Sequence, residues 1–142
     1  MRTSTRLVLW LLVVGLIQVG AVGPAEAEDF DRGLAFKGQA DYNLYCRSCH
    51  GDQAHGDGTV AEFLKVPPAD LTRIAERNDG TFPADRVRAF IDGRDRSVRP
   101  HGGDMPIWGD AFEVAEGLDE ATVEAKIDQL VHYLASIQAG GD

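Results

Sequence analysis

Apolar residues recur along this chain at the three-to-four-residue spacing of helices, most clearly near its C-terminus. Val123, Ile127, Leu130, Val131, Leu134 and Ile137 fall on one stripe, at offsets 0, 4, 7, 8, 11 and 14. Asp119 is placed to cap the start of that helix, and Gly140-Gly141 to stop it. Over residues 30–46, Leu34, Gly38, Tyr42 and Tyr45 share one face at spacings of four, four and three. A glycine inside a helix costs about 1 kcal/mol relative to alanine, so Gly38 on the apolar face predicts a second backbone passing close by. The alternative is a helix that starts only after Gly38. A short helix is expected with Leu71, Ile74 and Ala75 inward. Another spans residues 83–91, burying Val87, Phe90 and Ile91 before Gly93 ends it.

Between these segments the periodicity breaks. Gly51, Gly56 and Gly58 alternate with Asp52 and Asp57 and predict a loop, which Pro67-Pro68 prolongs. Residues 92–109 read as a long loop interrupted by Pro100, Gly102, Gly103 and Pro106, and loops of that length in a small domain are usually functional. No strand-like alternation, internal repeat or low-complexity tract competes, so the class is all-α with much loop. The apolar faces of a few short helices make a thin core for a domain of this size, and a large buried apolar cofactor would complete it.

The first 27 residues stand apart. Arg2 and Arg6 form a positive start, residues 7–19 an apolar run, and Ala25-Glu26-Ala27 an A-x-A cleavage site, the pattern of a secretory signal. The expected organisation is therefore a signal peptide over residues 1–27 and one domain over residues 28–142. An uncleaved anchor is the alternative, because apolar and small residues continue to Val22. Either way the domain is expected outside the cytoplasm, in the periplasm of a bacterium. Beyond residue 27 the chain keeps 22 acids against 12 bases, which argues against nucleic acid and against anionic membrane surfaces as partners. The charge is uneven. Residues 73–103 hold seven arginines and five acids, whereas residues 104–142 hold nine acids and one lysine. That island is expected to lie near the site and to face an acidic patch on a partner; if its arginines pair with neighbouring acids or with a cofactor's carboxylates, the acidic ends instead select a basic partner.

The only cysteines, Cys46 and Cys49, are too close together to staple distant parts of the chain. With Arg47, Ser48 and His50 they spell C-x-x-C-H, the pattern of c-type haem attachment. Two thiols so spaced at a helix end reach the two vinyl groups on one porphyrin edge, while the adjacent histidine reaches the iron. A zinc site would need further cysteines or histidines at suitable spacing, and a thioredoxin-like pair would need a βαβ context; neither occurs. The iron's second axial position distinguishes electron transfer from small-molecule chemistry. Met105, the only methionine besides Met1, sits in the polar, glycine-rich run from Gly103 to Gly109 and is the preferred ligand. His101 is its rival. His55 lies close to the proximal side, and His132 suits a boundary role on the last helix.

Residues 38–137 resemble a monohaem class I cytochrome c. The resemblance is carried by Gly38 and Tyr42, by Cys46-Arg47-Ser48-Cys49-His50-Gly51, by Pro67-Pro68-Ala69-Asp70-Leu71, by Met105-Pro106-Ile107-Trp108-Gly109-Asp110, and by Leu130-Val131-His132-Tyr133-Leu134. It implies the cytochrome c fold: short helices and long loops around one covalent haem c, with the N- and C-terminal helices crossing where Gly38 and Tyr42 meet Leu130, Tyr133 and Leu134. It also implies a proline carbonyl, of Pro67 or Pro68, holding the second nitrogen of His50. Trp108 and some of Arg86, Arg88, Arg94, Arg96 and Arg99 are candidates to contact the propionates. The implied function is one-electron transfer between redox partner proteins, with His50 and Met105 on the iron and no catalysis by the chain itself. A haem subunit of a periplasmic dehydrogenase or of a sulfur-oxidising complex is the first alternative, and a gas-binding sensor the second.

Overall fold

The computed structural model describes residues 30–95, 97 and 103–139. The expected signal segment, Arg96, Arg99, His101 and Gly140-Gly141 lie outside the described residues. Among the described residues all regular structure is helical. Helix α1 (Arg32–Asp41) runs through a π-helical turn (Tyr42–Cys46) into the short α2 (Arg47–His50). Three 3₁₀ turns follow, at Ala61–Phe63, Leu71–Arg73 and Glu76–Asn78, and then α3 (Ala84–Asp92), α4 (Trp108–Glu116) and α5 (Glu120–Ser136). No helix among the described residues is long and apolar enough to cross a membrane.

Helix α5 is the spine of the core. Val123, Ile127, Leu130, Val131 and Leu134 are buried as their spacing requires, together with Tyr133. Asp119 caps it by accepting from the Thr122 amide at 2.8 Å. Helix α1 lies against it with the backbones in contact. A Cβ added at Gly38 would stand 1.9 Å from the Gln129 carbonyl oxygen and 3.0 Å from the Leu130 nitrogen, which explains the glycine on an apolar face. The helix begins at Arg32, capped by Asp31, so it passes through Gly38 rather than starting after it. One turn on, the buried Tyr42 ring packs on Tyr133 at 5.1 Å. The pair of helices is closed at its edges by Lys126 Nζ on Asp41 at 2.7 Å, and by the Asp31 amide donating to His132 Nδ1 at 3.0 Å. His132 therefore holds the boundary role expected of it.

Two expectations about elements need correction. The helix expected around residues 71–75 is a pair of 3₁₀ turns. Asp70 accepts from the Thr72 amide and hydroxyl at its start, and Ala75 is buried while Leu71 and Ile74 are half-buried. The loop expected to run to Gly109 ends earlier, because α4 starts at Trp108 with Gly109 in its first turn. Its apolar face is short, chiefly Trp108 and Phe112, and Gly117 ends it with a φ of +67°. Helix α3 matches its expected span to within a residue and buries Val87 and Ile91, while Phe90 is only half-buried.

Candidate functional site

The C-x-x-C-H segment occupies the last turn before the helix ends, where four carbonyls lose their intrahelical partners. All four are satisfied by the chain that follows. The Gly51 amide donates to Arg47 O at 2.8 Å, Val60 to Ser48 O at 3.0 Å, Gly58 to Cys49 O at 3.1 Å and Gly56 to His50 O at 2.8 Å. The glycines expected simply to break a helix thus fold the loop back over its end. Gly51 and Gly56 have φ of +88° and +83°, and a Cβ on Gly58 would stand 2.3 Å from Ser48 O. Tyr42, reaching back from the π-helical turn, donates its hydroxyl to Gly51 O at 2.6 Å.

The same loop orients His50. A Cβ on Gly56 would stand 2.3 Å from Pro68 O, so residues 68–69 lie directly against the loop, and the Leu71 amide ties them further by donating to Ala54 O at 2.7 Å. This brings the Ala69 carbonyl within 3.1 Å of His50 Nδ1. The Nδ1–H donates there, and Nε2 keeps its lone pair for a ligand-binding role. The expected acceptor was the carbonyl of Pro67 or Pro68; the chain presents the next residue instead. Burial holds the imidazole below the ordinary histidine range, which favours the neutral, ligating form.

Cys46 and Cys49 are half-buried free thiols three residues apart, on one side of the helical turn. Burial, with the charge of Asp41 behind it, pushes the Cys46 thiol up to about 12. A redox-active cysteine has the opposite character, a depressed pKa in an electropositive setting. Two thiols and a neutral imidazole with a free Nε2, backed by a fixed carbonyl, are a donor set that fits a covalently held haem.

Met105 lies half-buried against the hydrophobic core, as do Tyr45, Cys46 and Trp108. Tyr45, the residue before Cys46, ties the motif to the Met105 segment: its ring meets Trp108 at 5.5 Å and Phe112 at 5.2 Å. Lys126 Nζ sits 5.0 Å above Tyr45, whose hydroxyl bonds Glu116. A second tie runs through residues 60–65. Val60 is bonded to Ser48 at one end, and at the other the Lys65 amide donates to Asp104 Oδ2 at 3.1 Å. Tyr45 and residues 60–65 thus link the cysteine motif to the segment that carries Met105 and Trp108, with Trp108 engaged in aromatic packing. His55, exposed and 3.6 Å from Asp70, lies in the loop that orients His50, next to the Ala69–Asp70 segment.

Among the described residues, three arginines of the island pair with carboxylates and Arg77 donates to Asp70 O. Arg73 pairs with Glu76, Arg88 with Asp128, and Arg94 with Asp92 and Glu120, while the Arg86 guanidinium lies over Phe90. Sequence reasoning missed the Ala69 carbonyl and the Tyr45–Trp108–Phe112 cluster. The first has no residue signature, since every residue carries a carbonyl. The second was signalled by the i, i+4 pair of Trp108 and Phe112. No protein-family model, curated protein or solved structure matches this chain.

Proposed function

We propose that the chain is an exported monohaem c-type cytochrome of cytochrome c fold, carrying single electrons between redox partner proteins. Cys46 and Cys49 hold the haem by thioether bonds, His50 Nε2 takes the proximal position on the iron, and Met105 the distal one. The observation that carries this reading is the state of His50: it closes a C-x-x-C-H helix with Nδ1 committed to Ala69 O and Nε2 left for a metal. The close packing of α1 on α5 at Gly38 supports the same fold. The bound haem supplies an iron that changes valence by one electron. The chain's own residues do the rest. Ala69 orients the proximal imidazole and raises its basicity, the capped loop at residues 51–60 fixes the motif, and the half-buried apolar surroundings of Met105 limit water.

Mass spectrometry of the exported protein is expected to show one haem added to a chain beginning near Glu28. The oxidised form is expected to show the weak near-infrared absorption of a sulfur–iron bond, which Met105→Ala abolishes and His101→Ala leaves in place. Free thiols on the intact exported chain would refute the reading, and a spectrum and potential unchanged in Met105→Ala but altered in His101→Ala would make His101 the ligand.

A second reading, a haem subunit bound stoichiometrically to an oxidoreductase, is favoured by one observation. Phe36, Leu44 and Phe63 are 74%, 71% and 76% exposed, apolar surface that a tightly bound partner would cover. Co-purification of a stoichiometric partner with the native protein decides between them.

A further inference from the structure

We propose that Arg94 is a positioning residue for Met105, closing the base of the loop that carries it; this rests on the haem reading above. The loop leaves the end of α3 and returns at the first turn of α4, and those two points are in contact. A Cβ on Gly93 would stand 3.4 Å from Ile107 Cα, and one on Gly109 would stand 2.4 Å from Arg94 Nε and 2.6 Å from Asp92 Oδ1. The guanidinium is gripped from two sides. Nε and Nη2 donate to the two Asp92 oxygens, each at 2.7 Å, and Nη1 and Nη2 donate to Glu120 at 2.6 and 2.9 Å. Its side chain is only 25% exposed.

Asp92 belongs to α3, Gly109 to α4 and Glu120 to α5, so one side chain joins three helices across the loop's two ends. The geometry also accounts for Gly109. A methyl group there meets a guanidinium that cannot swing aside without breaking two bidentate pairs. An isolated surface ion pair contributes little stability, and this one matters for where it sits. With Gly93–Arg94 and Ile107–Gly109 clamped together, Met105 two residues before Ile107 is held in place rather than left on an open tether. Outer contacts that orient a metal ligand are typically worth roughly 10–100-fold in its binding.

The test compares Arg94→Met, Arg94→Lys and Gly109→Ala with wild type in the haem-loaded protein. Arg73→Met serves as control, since Arg73 makes a similar bidentate pair with Glu76 far along the chain from the loop. Two signals are read: the sulfur–iron absorption of the oxidised protein, and hydrogen exchange at the Lys65 amide, which is bonded to Asp104 beside Met105. Arg94→Met is expected to speed Lys65 exchange roughly tenfold or more and to weaken the absorption, with exchange at Leu130 in α5 unchanged. Arg94→Lys, a point charge able to hold one carboxylate, restores part of both signals. Gly109→Ala gives the pattern of Arg94→Met with no charge removed, although alanine ordinarily strengthens a helix. If Arg94→Met does not fold, Gly109→Ala and Asp92→Asn carry the same comparison. Lys65 exchange and absorption in these variants matching Arg73→Met would overturn the proposal. A wild type without the absorption counts against Met105 as ligand, and the clamp is then judged on Lys65 exchange alone.

Discussion

At the scale of single residues, the candidate site is shaped by backbone groups that glycine lets approach it. Gly56 shows this most directly. Its φ of +83° suits glycine, its amide holds the His50 carbonyl, and its missing side chain leaves room for Pro68 O, one residue before the carbonyl that orients the imidazole. Gly56→Ala adds a methyl group 2.3 Å from that oxygen. The Pro68–Ala69 peptide must then move, and the His50 Nδ1 bond moves with it. Gly80 supplies the control, because it has the same φ of +83° and no atom within 4 Å of an added Cβ. Both alanine variants carry the cost of an unfavourable backbone conformation, about 1–3 kcal/mol. Gly56→Ala is expected to lose at least about 1 kcal/mol more, a typical lower figure for overpacking, in denaturant unfolding. It is also expected to reduce the yield of haem-loaded protein. Equal losses in the two variants would show that the contact with Pro68 has no bearing on the site.

At the scale of elements, the packing of α1 on α5 carries the fold, and its sign can be tested. In an isolated helix, exchanging glycine for alanine stabilises by about 1 kcal/mol. At Gly38 the new Cβ meets the backbone of Gln129, which cannot rotate away as a side chain would. Gly38→Ala is therefore expected to destabilise by about 1–3 kcal/mol, lowering Tm by several degrees in calorimetry. An unchanged or higher Tm would mean that the helices separate at little cost. This contact was legible in the sequence because a glycine weakens an apolar helical face unless a second backbone needs the room. Helices α3 and α5 were legible too, from periodicity and from the caps Asp119 and Gly93. Helix α4 was not, because it is short, starts just after Pro106 and holds Gly109 in its first turn, a glycine explained only by Arg94 and Asp92 from another element. The π-helical turn at Tyr42–Cys46 left no pattern either. Its extra residue rotates the following turn by roughly 100°, so the face on which Cys49 and His50 lie could not be extrapolated from α1. Cys46, Cys49 and His50 are singled out as the candidate site by spacing alone, whereas the acceptor of His50 depends on where a loop happens to pass.

At the scale of the whole molecule, the question is which charges a partner meets at a distance. The full chain has a net charge of -9, and among the described residues three arginines of the island that would offset it locally are paired with carboxylates. Arg73, Arg88 and Arg94 each face a carboxylate, and the one lysine of residues 104–142, Lys126, is bonded to Asp41 with Glu116 at 3.7 Å. Paired charges cancel at range, and α4 and α5 keep an excess of acids over bases. Arg94 is accordingly no docking cation, and reversing it to glutamate would disturb the loop base before it altered any encounter. The expected partner surface is basic. Small redox reagents test this whatever the partner is, since they sample the field near the site directly. A cationic metal complex is expected to exchange electrons with the protein faster than an anionic one of matched driving force at low ionic strength. The gap is expected to narrow as salt shortens the Debye length to about 10 Å at 0.1 M and about 3 Å at 1 M. Stopped-flow rates across that range measure it. An anionic reagent that reacts as fast or faster at low salt would place a positive patch at the electron-exchange edge, and would return the unpaired part of the arginine island to the role of docking surface.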